Sequence, residues 1–331
     1  MASILVIGSE GTIGRPLVRE LINRGYEVTT ADARHGSEPN HIRSDISKYR
    51  QVEKLFDAGN FEYVYNLAAE FGRKNGEDYY EQLWETNVIG LKNILRVQEQ
   101  KRFRLVHFSS SEIYGELETP DGFLKEEMSD QLPLKQNNDY AVSKWVNELQ
   151  IRNSIATQQT ETLIVRLFNA YGPGEYFTPY RSVVSQFIYK ALHNAPYEVY
   201  LNYYRVFMYI DDLIPTLCNI VDRFKPGEVY NIGGKEYVEV KKVSDMILNY
   251  LGKNDFLVRY LGKDVHNVVS KRPDITKAKI DLGHDPVTQL SVGIPKTIEW
   301  YKKVYFTRSK TSNQEAKPAI KRSASVRRSP E

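Results

Sequence analysis

The sequence has 331 residues, 41% of them hydrophobic and 26% charged, which suits a soluble globular protein of one large domain or two modest ones. A single cysteine, Cys218, excludes an internal disulfide and fits a reducing cytoplasm, and no run of about 18 apolar residues is present to span a membrane. The formal net charge of +3 is unevenly placed: from Thr307 onward seven basic residues stand against two acidic ones, so the tail carries +5 and the rest of the chain −2. The segment 307–331 is rich in Ser, Lys and Arg and reads as a disordered, solvated tail that the chemistry does not need. With the basicity confined there, nucleic acid is not an expected partner. The start, Met1-Ala-Ser-Ile-Leu-Val-Ile-Gly, is too short and lacks the basic flank of a signal peptide, so a cytoplasmic location is expected.

Ile4-Leu-Val-Ile is a buried-strand pattern that runs into Gly8-Ser-Glu-Gly11-Thr12-Ile13-Gly14 and then into a helical pattern through Leu17, Val18 and Leu21. Strand, glycine loop and helix together form a pyrophosphate cradle, because glycines let backbone N–H groups approach the phosphates at a helix N-terminus. A second strand ends in Asp32, 18 residues after Gly14, where a carboxylate accepts from a ribose diol and repels a 2′-phosphate. NAD rather than NADP is therefore expected, with Arg34 beside it as a counterweight. Asp45-Ile46 follows a third strand and is placed to meet the adenine. A fourth strand runs from Tyr63 into Asn66-Leu67-Ala68-Ala69, small residues that suit a backbone passing close to a cofactor.

A helix is expected over 84–100, with Trp84, Val88, Leu91 and Leu95 on one side and Gly90 marking close packing. The fifth strand, 103–108, ends in Ser109-Ser110-Ser111-Glu112-Ile-Tyr-Gly115, at the strand end where open α/β sheets gather their chemistry. His107 reads as a core histidine. Cys218, on an apolar face with Leu213, Leu217, Ile220 and Val221, reads as a buried thiol.

An amphipathic segment over 140–155 opens with Tyr140 and Lys144, which share one helix face four residues apart. A free tyrosine, with a pKa of about 10, is a poor base at neutral pH, and a fixed cation beside it favours the phenolate. Such a pair can take a proton from a hydroxyl while hydride leaves the same carbon. A sixth strand follows over 162–168. The fold predicted is α/β, a doubly wound parallel sheet (Rossmann-like) with a smaller α+β C-terminal substrate lobe. The sheet domain takes 1–173 plus about 206–236, the lobe about 174–205 and 237–306. Helices are expected near 181–194, 241–251 and 294–304, with strands at 197–200 and 229–232.

Taken together, the Gly8/Gly11/Gly14 loop, Asp32, Asn66-Leu-Ala-Ala, Asn87, Ser-Ser-Ser-Glu-Ile-Tyr-Gly, Tyr140-Ala-Val-Ser-Lys144, Phe168-Asn-Ala-Tyr-Gly-Pro-Gly, Arg205-Val-Phe-Met-Tyr-Ile-Asp-Asp212 and Arg272-Pro-Asp resemble the extended short-chain dehydrogenase/reductase superfamily, in its nucleotide-sugar epimerase/dehydratase branch. The resemblance spans about 3–305. It implies NAD as cofactor, held by the loop, Asp32, Asp45, Ile46, Leu67, Ala68, Ala69, Asn87, Tyr140 and Lys144. It implies Tyr140 as base on a sugar 4-hydroxyl, Ser110 bonding the same oxygen, and Ser111, Asn169, Arg205 and Arg272 as contacts to a nucleotide-diphosphate sugar. It also implies a homodimer and no metal. The Ser111-Glu112 pair is similar to that of GDP-mannose dehydratases and UDP-glucuronate decarboxylases, so Glu112 is a candidate acid or base at C5. The segment Glu70-Phe-Gly-Arg-Lys-Asn-Gly76 is expected to border the sugar pocket. Epimerisation, 4,6-dehydration, uronate decarboxylation and net 4-dehydrogenation stay open as reactions. A non-catalytic reading also stays open: a dinucleotide fold that senses cofactor ratio or binds RNA through the tail.

Overall fold

Short apolar runs, each closed by turn residues, build the centre of the molecule. The computed structural model describes residues 2–306 except 265, so the expected tail at 307–331 lies outside the described residues. In chain order the central elements are β1 (Ser3–Ile7), α1 (Gly14–Asn23), β2 (Glu27–Asp32), β3 (His41–Arg43), α2 (Tyr49–Asp57), β4 (Tyr63–Asn66), α3 (Gly90–Lys101), β5 (Arg104–Ser110), α4 (Asp139–Gln158), β6 (Thr162–Leu167), α5 (Ile210–Asn219) and β7 (Val229–Ile232). The strands lie in the order β7-β6-β5-β4-β1-β2-β3, and each neighbouring pair is parallel. The chain runs outward from β1 to β3 and then crosses back to β4, so the order reverses between β1 and β4. Ligands of doubly wound sheets settle outside the strand ends at such a reversal.

Alternation along each strand fixes what it packs against. Ile4 and Val6 face Leu17 and Leu21 of α1 and Leu213 and Leu217 of α5. Leu5 and Ile7 face the opposite layer, with Val52 and Leu55 of α2 and Leu91 and Leu95 of α3. Buried on both sides, the sheet needs apolar runs rather than alternating ones, which is how β1 reads.

A second core forms where the helices Val183–Leu192, Val240–Tyr250 and Leu290–Phe306 meet around Phe187, Val243, Ile247 and Ile298. Strand Tyr197–Tyr200 pairs in parallel with Val258–Leu261. Strand Tyr204–Val206 lies between Tyr237–Glu239, antiparallel, and Ser270–Lys271, parallel. This α+β part stands over the strand ends of the sheet and closes one long cleft with it.

One expected helix differs from its pattern. Over Trp84–Ile89 the chain makes a π-helical turn before α3 begins. The side chain of Asn87 explains the widening: its amide accepts from the Glu70 N–H at 2.9 Å and donates to the Glu70 carbonyl at 2.9 Å and to the Ser143 hydroxyl at 3.1 Å. Turns of this kind gather at functional segments, and this one anchors the loop after β4. Gly90 packs closely as expected, since a Cβ there would stand 2.7 Å from Ile46.

Candidate active site

The cleft runs from the glycine loop to the Arg205 strand and encloses about 1300 Å³. That exceeds the ~300–1,000 Å³ of a pocket for one small ligand and suits two ligands end to end. Gly8, Gly11, Thr12, Ile13 and Gly14 line one end. Gly8 has φ +85°, and a Cβ on it would lie 2.6 Å from the Ala68 nitrogen, so only glycine lets the loop pass β4 this closely. No side chain caps the first turn of α1; its Arg15 and Leu17 N–H groups are bonded to the Gly11 and Ile13 carbonyls, so what the helix start offers an anion is the positive end of its dipole beside the glycine loop.

Asp32 ends β2 inside the cleft, accepting from the Glu10 N–H at 3.0 Å and from the Arg34 N–H at 3.0 Å. The Arg34 guanidinium also pairs with it at 3.1 Å, but that side chain is 59% exposed. A pair so solvated contributes about 0–1 kcal/mol, so a ribose can displace it. Asp45 and Ile46 line the cleft next to Asp32, and Leu67, Ala68 and Ala69 line its floor. Among the described residues no group of His, Cys, Asp or Glu is placed to hold a metal.

Helix α4 carries Tyr140 and Lys144. Asn138 caps it by accepting from the Ala141 N–H at 2.9 Å, and Asp139 sits in the first turn, where a carboxylate suits the helix dipole. Tyr140 faces the cleft with its hydroxyl hydrogen-bonded to that of Ser110. Ser110 in turn accepts from the Glu112 N–H at 3.2 Å, starting the tight turn Ser111–Tyr114. Ser110, Ser111, Glu112, Tyr140 and Lys144 thus line one cleft.

The expected activation of Tyr140 by Lys144 needs correction. The Lys144 ammonium donates to the Phe108 carbonyl at 2.8 Å and lies 5.9 Å from the Tyr140 ring centroid. Burial raises the phenol above its usual value, the Ser110 hydrogen bond works against that, and the Glu112 charge adds to it. The chain's own groups therefore keep the phenol protonated. Burial also pushes Lys144 down to about 8, against the attraction of Glu148.

Arg205 and Asn169 line the cleft, whereas Arg272 and Asn87 do not. Arg205 spends its N–H groups on the Tyr204 and Val269 carbonyls at 2.8 and 3.0 Å, and on Asn267 and the Val268 carbonyl. Arg272 stacks on Phe123, 4.1 Å from its ring centroid. Its neighbour Lys271, which the sequence reading missed, is the inward residue. It stands beside Arg205 in register and forms an ion pair with Glu112. Glu112 keeps 25% of its side chain open to the cleft, while Lys271 is shut beneath it at 2%. Burial acts to raise the Glu112 carboxyl, but the Lys271 ammonium, with Arg205 and Arg73 further off, holds it below the usual range. These surroundings favour the ionised carboxylate at Glu112.

Two further residues were not singled out by the sequence. Arg181, from the loop after β6, points into the cleft over the Phe71 ring at 4.3 Å, and its buried Nε has no partner. Arg73, in the unassigned segment 70–76, reaches across the cleft to Asp264 at 2.7 Å. His107 is buried with its Nε2 unpartnered and is kept neutral by burial, a core histidine as read. The Cys218 thiol is buried and pushed up to about 12.

Comparison with known proteins was made on this framework. The model of a family described as the NAD dependent epimerase/dehydratase family matches residues 4–233. A UDP-N-acetyl-alpha-D-glucosaminuronate decarboxylase of Bacillus cytotoxicus is 28% identical, over 91% of this chain and 98% of its own. A dTDP-glucose 4,6-dehydratase of Escherichia coli is 27% identical, over 90% of this chain and 93% of its own. The crystal structure of a UDP-glucuronic acid 4-epimerase from Bacillus cereus, in complex with UDP-glucuronic acid and NAD, superposes with a TM-score of 0.81 at 26% identity, over 92% of this chain and all of that one.

Proposed function

The chain belongs to the NAD-dependent epimerase/dehydratase family, and from that premise we propose that it oxidises C4 of a nucleotide-diphosphate hexose and uses the ketone to activate the neighbouring C–H bond. It is an NAD-dependent enzyme of the nucleotide-sugar epimerase/dehydratase class. The observation that carries the detailed reading is the hydrogen-bonded pair Tyr140–Ser110 with the Glu112 carboxylate two residues on, in one cleft with the glycine loop.

NAD supplies the hydride acceptor and later donor, and its oxidised ring adds a positive charge. The glycine loop, α1 N-terminus, Asp32, Asp45 and Ile46 would hold it, with Lys144 toward the nicotinamide ribose. Tyr140 then takes the proton of the sugar 4-hydroxyl while Ser110 bonds the same oxygen. A ketone at C4 acidifies C5–H, and Glu112, held ionised by Lys271, is the base placed to remove that proton. The same C4 ketone would labilise a carboxyl carried on C5, because loss of carbon dioxide from such a β-keto acid leaves the C4–C5 enolate that proton removal would give. Decarboxylation therefore remains the second reading, in line with the uronate-acting relatives. Incubation with NAD and UDP-glucuronate, dTDP-glucose or UDP-glucose separates the outcomes by mass: loss of carbon dioxide, loss of water, or no change with inversion. No reaction with any nucleotide sugar would refute the proposal.

Arg181 is proposed as a contact to the cofactor pyrophosphate, since it lines the same cleft as the glycine loop and its buried Nε has no hydrogen-bond partner. Arg181→Met should weaken NAD binding by about 10–100-fold, the value of a charge-assisted hydrogen bond of ~1.5–3 kcal/mol. Calorimetric titration with NAD measures this, and an unchanged dissociation constant would remove Arg181 from the cofactor site.

Lys271→Met gives a pH prediction whose sign follows from the two opposing causes. With Lys271 present, the Glu112 carboxyl is held below its usual range, so the base is ionised throughout mildly acidic pH. Without it, burial acts with less opposition and raises the carboxyl, so the acid limb of C5 proton exchange should move to higher pH. Deuterium wash-in from solvent measures that limb. A limb that stays in place would show that Lys271 does not control Glu112.

A homodimer in the cytoplasm is proposed as the working form. Ile89 and Leu149, apolar residues left 49% and 47% exposed on adjoining elements, support the dimer as candidates for its interface. No helix among the described residues is long and apolar enough to cross a membrane.

A further inference from the structure

Behind the reacting groups, outside the cleft, lies an ion pair in which both partners are wholly buried. Glu148 follows Lys144 by one turn of α4, and Tyr140 precedes Lys144 by one, so the three lie along one helix face. Its Oε1 accepts from Arg166 Nε at 3.0 Å and its Oε2 from Arg166 Nη2 at 2.7 Å, with both residues 0% exposed. The same carboxylate accepts from the Ser109 hydroxyl, the residue just before Ser110. Arg166 stands opposite Ser109 in the β5–β6 register. Its remaining N–H groups donate to the Tyr114 hydroxyl at 2.9 Å, the Glu126 carbonyl at 3.0 Å and the Ser129 hydroxyl at 2.7 Å. Tyr114 closes the turn that carries Glu112, and its own hydroxyl donates to Asn231 of β7 at 2.8 Å.

One pair thus ties together the helix bearing Tyr140 and Lys144, the strand end bearing Ser110 and the turn bearing Glu112. We propose that Glu148–Arg166 is the positioning unit of the reaction centre: it sets Ser110 and the Glu112 turn against α4, and it places a buried carboxylate one helix turn from Lys144. A merely structural pair needs no such set of partners, and two well-packed apolar residues would serve the core at least as well. A buried ammonium, by contrast, is under pressure to lose its proton. The titratable and charged groups around Lys144 and the Glu148 carboxylate are Tyr140 and Glu148 on its own helix, His107 on β5 and Glu112 on the turn, with Arg166 behind Glu148 and the partly exposed Arg152 3.9 Å from it. His107 is neutral by burial, and Glu112 is already claimed by Lys271. Glu148 is the charge that raises the Lys144 value against burial.

The assignment of roles rests on the proposed reaction, but its first test needs neither substrate nor cofactor. Lysine side-chain NMR of the full-length protein, assigned with Lys144→Met, should show Lys144 losing its proton near pH 8. In Glu148→Gln the midpoint should fall by about one pH unit or more, while Glu148→Asp, which keeps the charge, should leave it within about half a unit of the wild type. An unmoved midpoint in Glu148→Gln overturns the electrostatic half of the proposal. Arg166→Lys tests the geometric half, because a lysine keeps the ion pair but cannot also reach Tyr114 and Ser129 in a planar fork. It should slow NADH formation from NAD and UDP-glucuronate, or whichever nucleotide sugar the wild type oxidises, at least about tenfold with KM nearly unchanged. Wild-type turnover in Arg166→Lys overturns that half. Failure of the wild-type protein itself to form NADH from any nucleotide sugar would refute the reaction and leave the lysine titration standing.

Discussion

Tyr140→Phe is expected to lower turnover by ~10²–10⁴-fold, the range of a lost general base, and to leave NAD affinity nearly unchanged. Only the hydroxyl is removed, so the ring stays in the cleft wall and the phosphate end of the cofactor site is untouched. The fold loses one hydrogen bond, that with Ser110, of about 1 kcal/mol. The variant should therefore be folded, cofactor-bound and unable to take the 4-hydroxyl proton. Because burial keeps the phenol protonated in the chain by itself, the wild-type rate should rise with pH as the phenolate becomes accessible, and the Phe variant should lose that dependence. Stopped-flow measurement of NADH formation reads both effects. Unchanged turnover in Tyr140→Phe would contradict the assignment.

Glu112→Gln should divide the reaction in two. Oxidation at C4 uses Tyr140 and Ser110, which the substitution leaves in place, so NADH should still form. Proton removal at C5 uses a titratable group that glutamine lacks, so product formation should fall by ~10²–10⁴-fold and NADH should accumulate. Lys271 loses its anion in this variant, and a buried ammonium without a partner weakens the fold. The half-reaction separates that effect from a chemical one, because an unfolded protein forms no NADH. Full turnover in the Gln variant would remove proton abstraction at C5 and leave C4 epimerisation or decarboxylation as the reaction.

Much of this was legible in the sequence because each feature is local. Strand, glycine loop and helix are consecutive, and Ser110 with Glu112 at one strand end and Tyr140 with Lys144 on one helix face need only the periods of strand and helix. What was missed depends on contacts between distant segments or on a single step of register. Arg272 was read as a contact to the nucleotide diphosphate; in the fold it stacks on Phe123, and its neighbour Lys271 is the residue that meets Glu112, from more than a hundred residues away. A one-residue difference moves a side chain to the other face. Asn87 was read as a cofactor contact, yet its amide is consumed by Glu70 and Ser143, and the π-turn that results has no periodic signature. Arg181 sits in a loop without pattern, and only the fold brings it over Phe71. The pairing of Tyr140 with Lys144 was seen, but not that the ammonium turns to the Phe108 carbonyl.

The same division explains why the reaction class is firmer than the individual reaction. Tyr140 and Ser110 serve any C4 oxidation, whereas the later step depends on Glu112, Lys271 and the segment around Arg73, whose partners are assembled only in three dimensions.

The most direct measurement follows a deuterium placed on C4 of the nucleotide sugar. The C4 hydride is proposed to leave and return, so NADH formation should show a primary isotope effect and the cofactor should carry the label during turnover. The carbon that receives it back identifies the later step: C4 for epimerisation or decarboxylation, C6 for dehydration. Turnover in which the deuterium never leaves C4 and no isotope effect is seen would contradict oxidation at C4, and with it the role given to Tyr140.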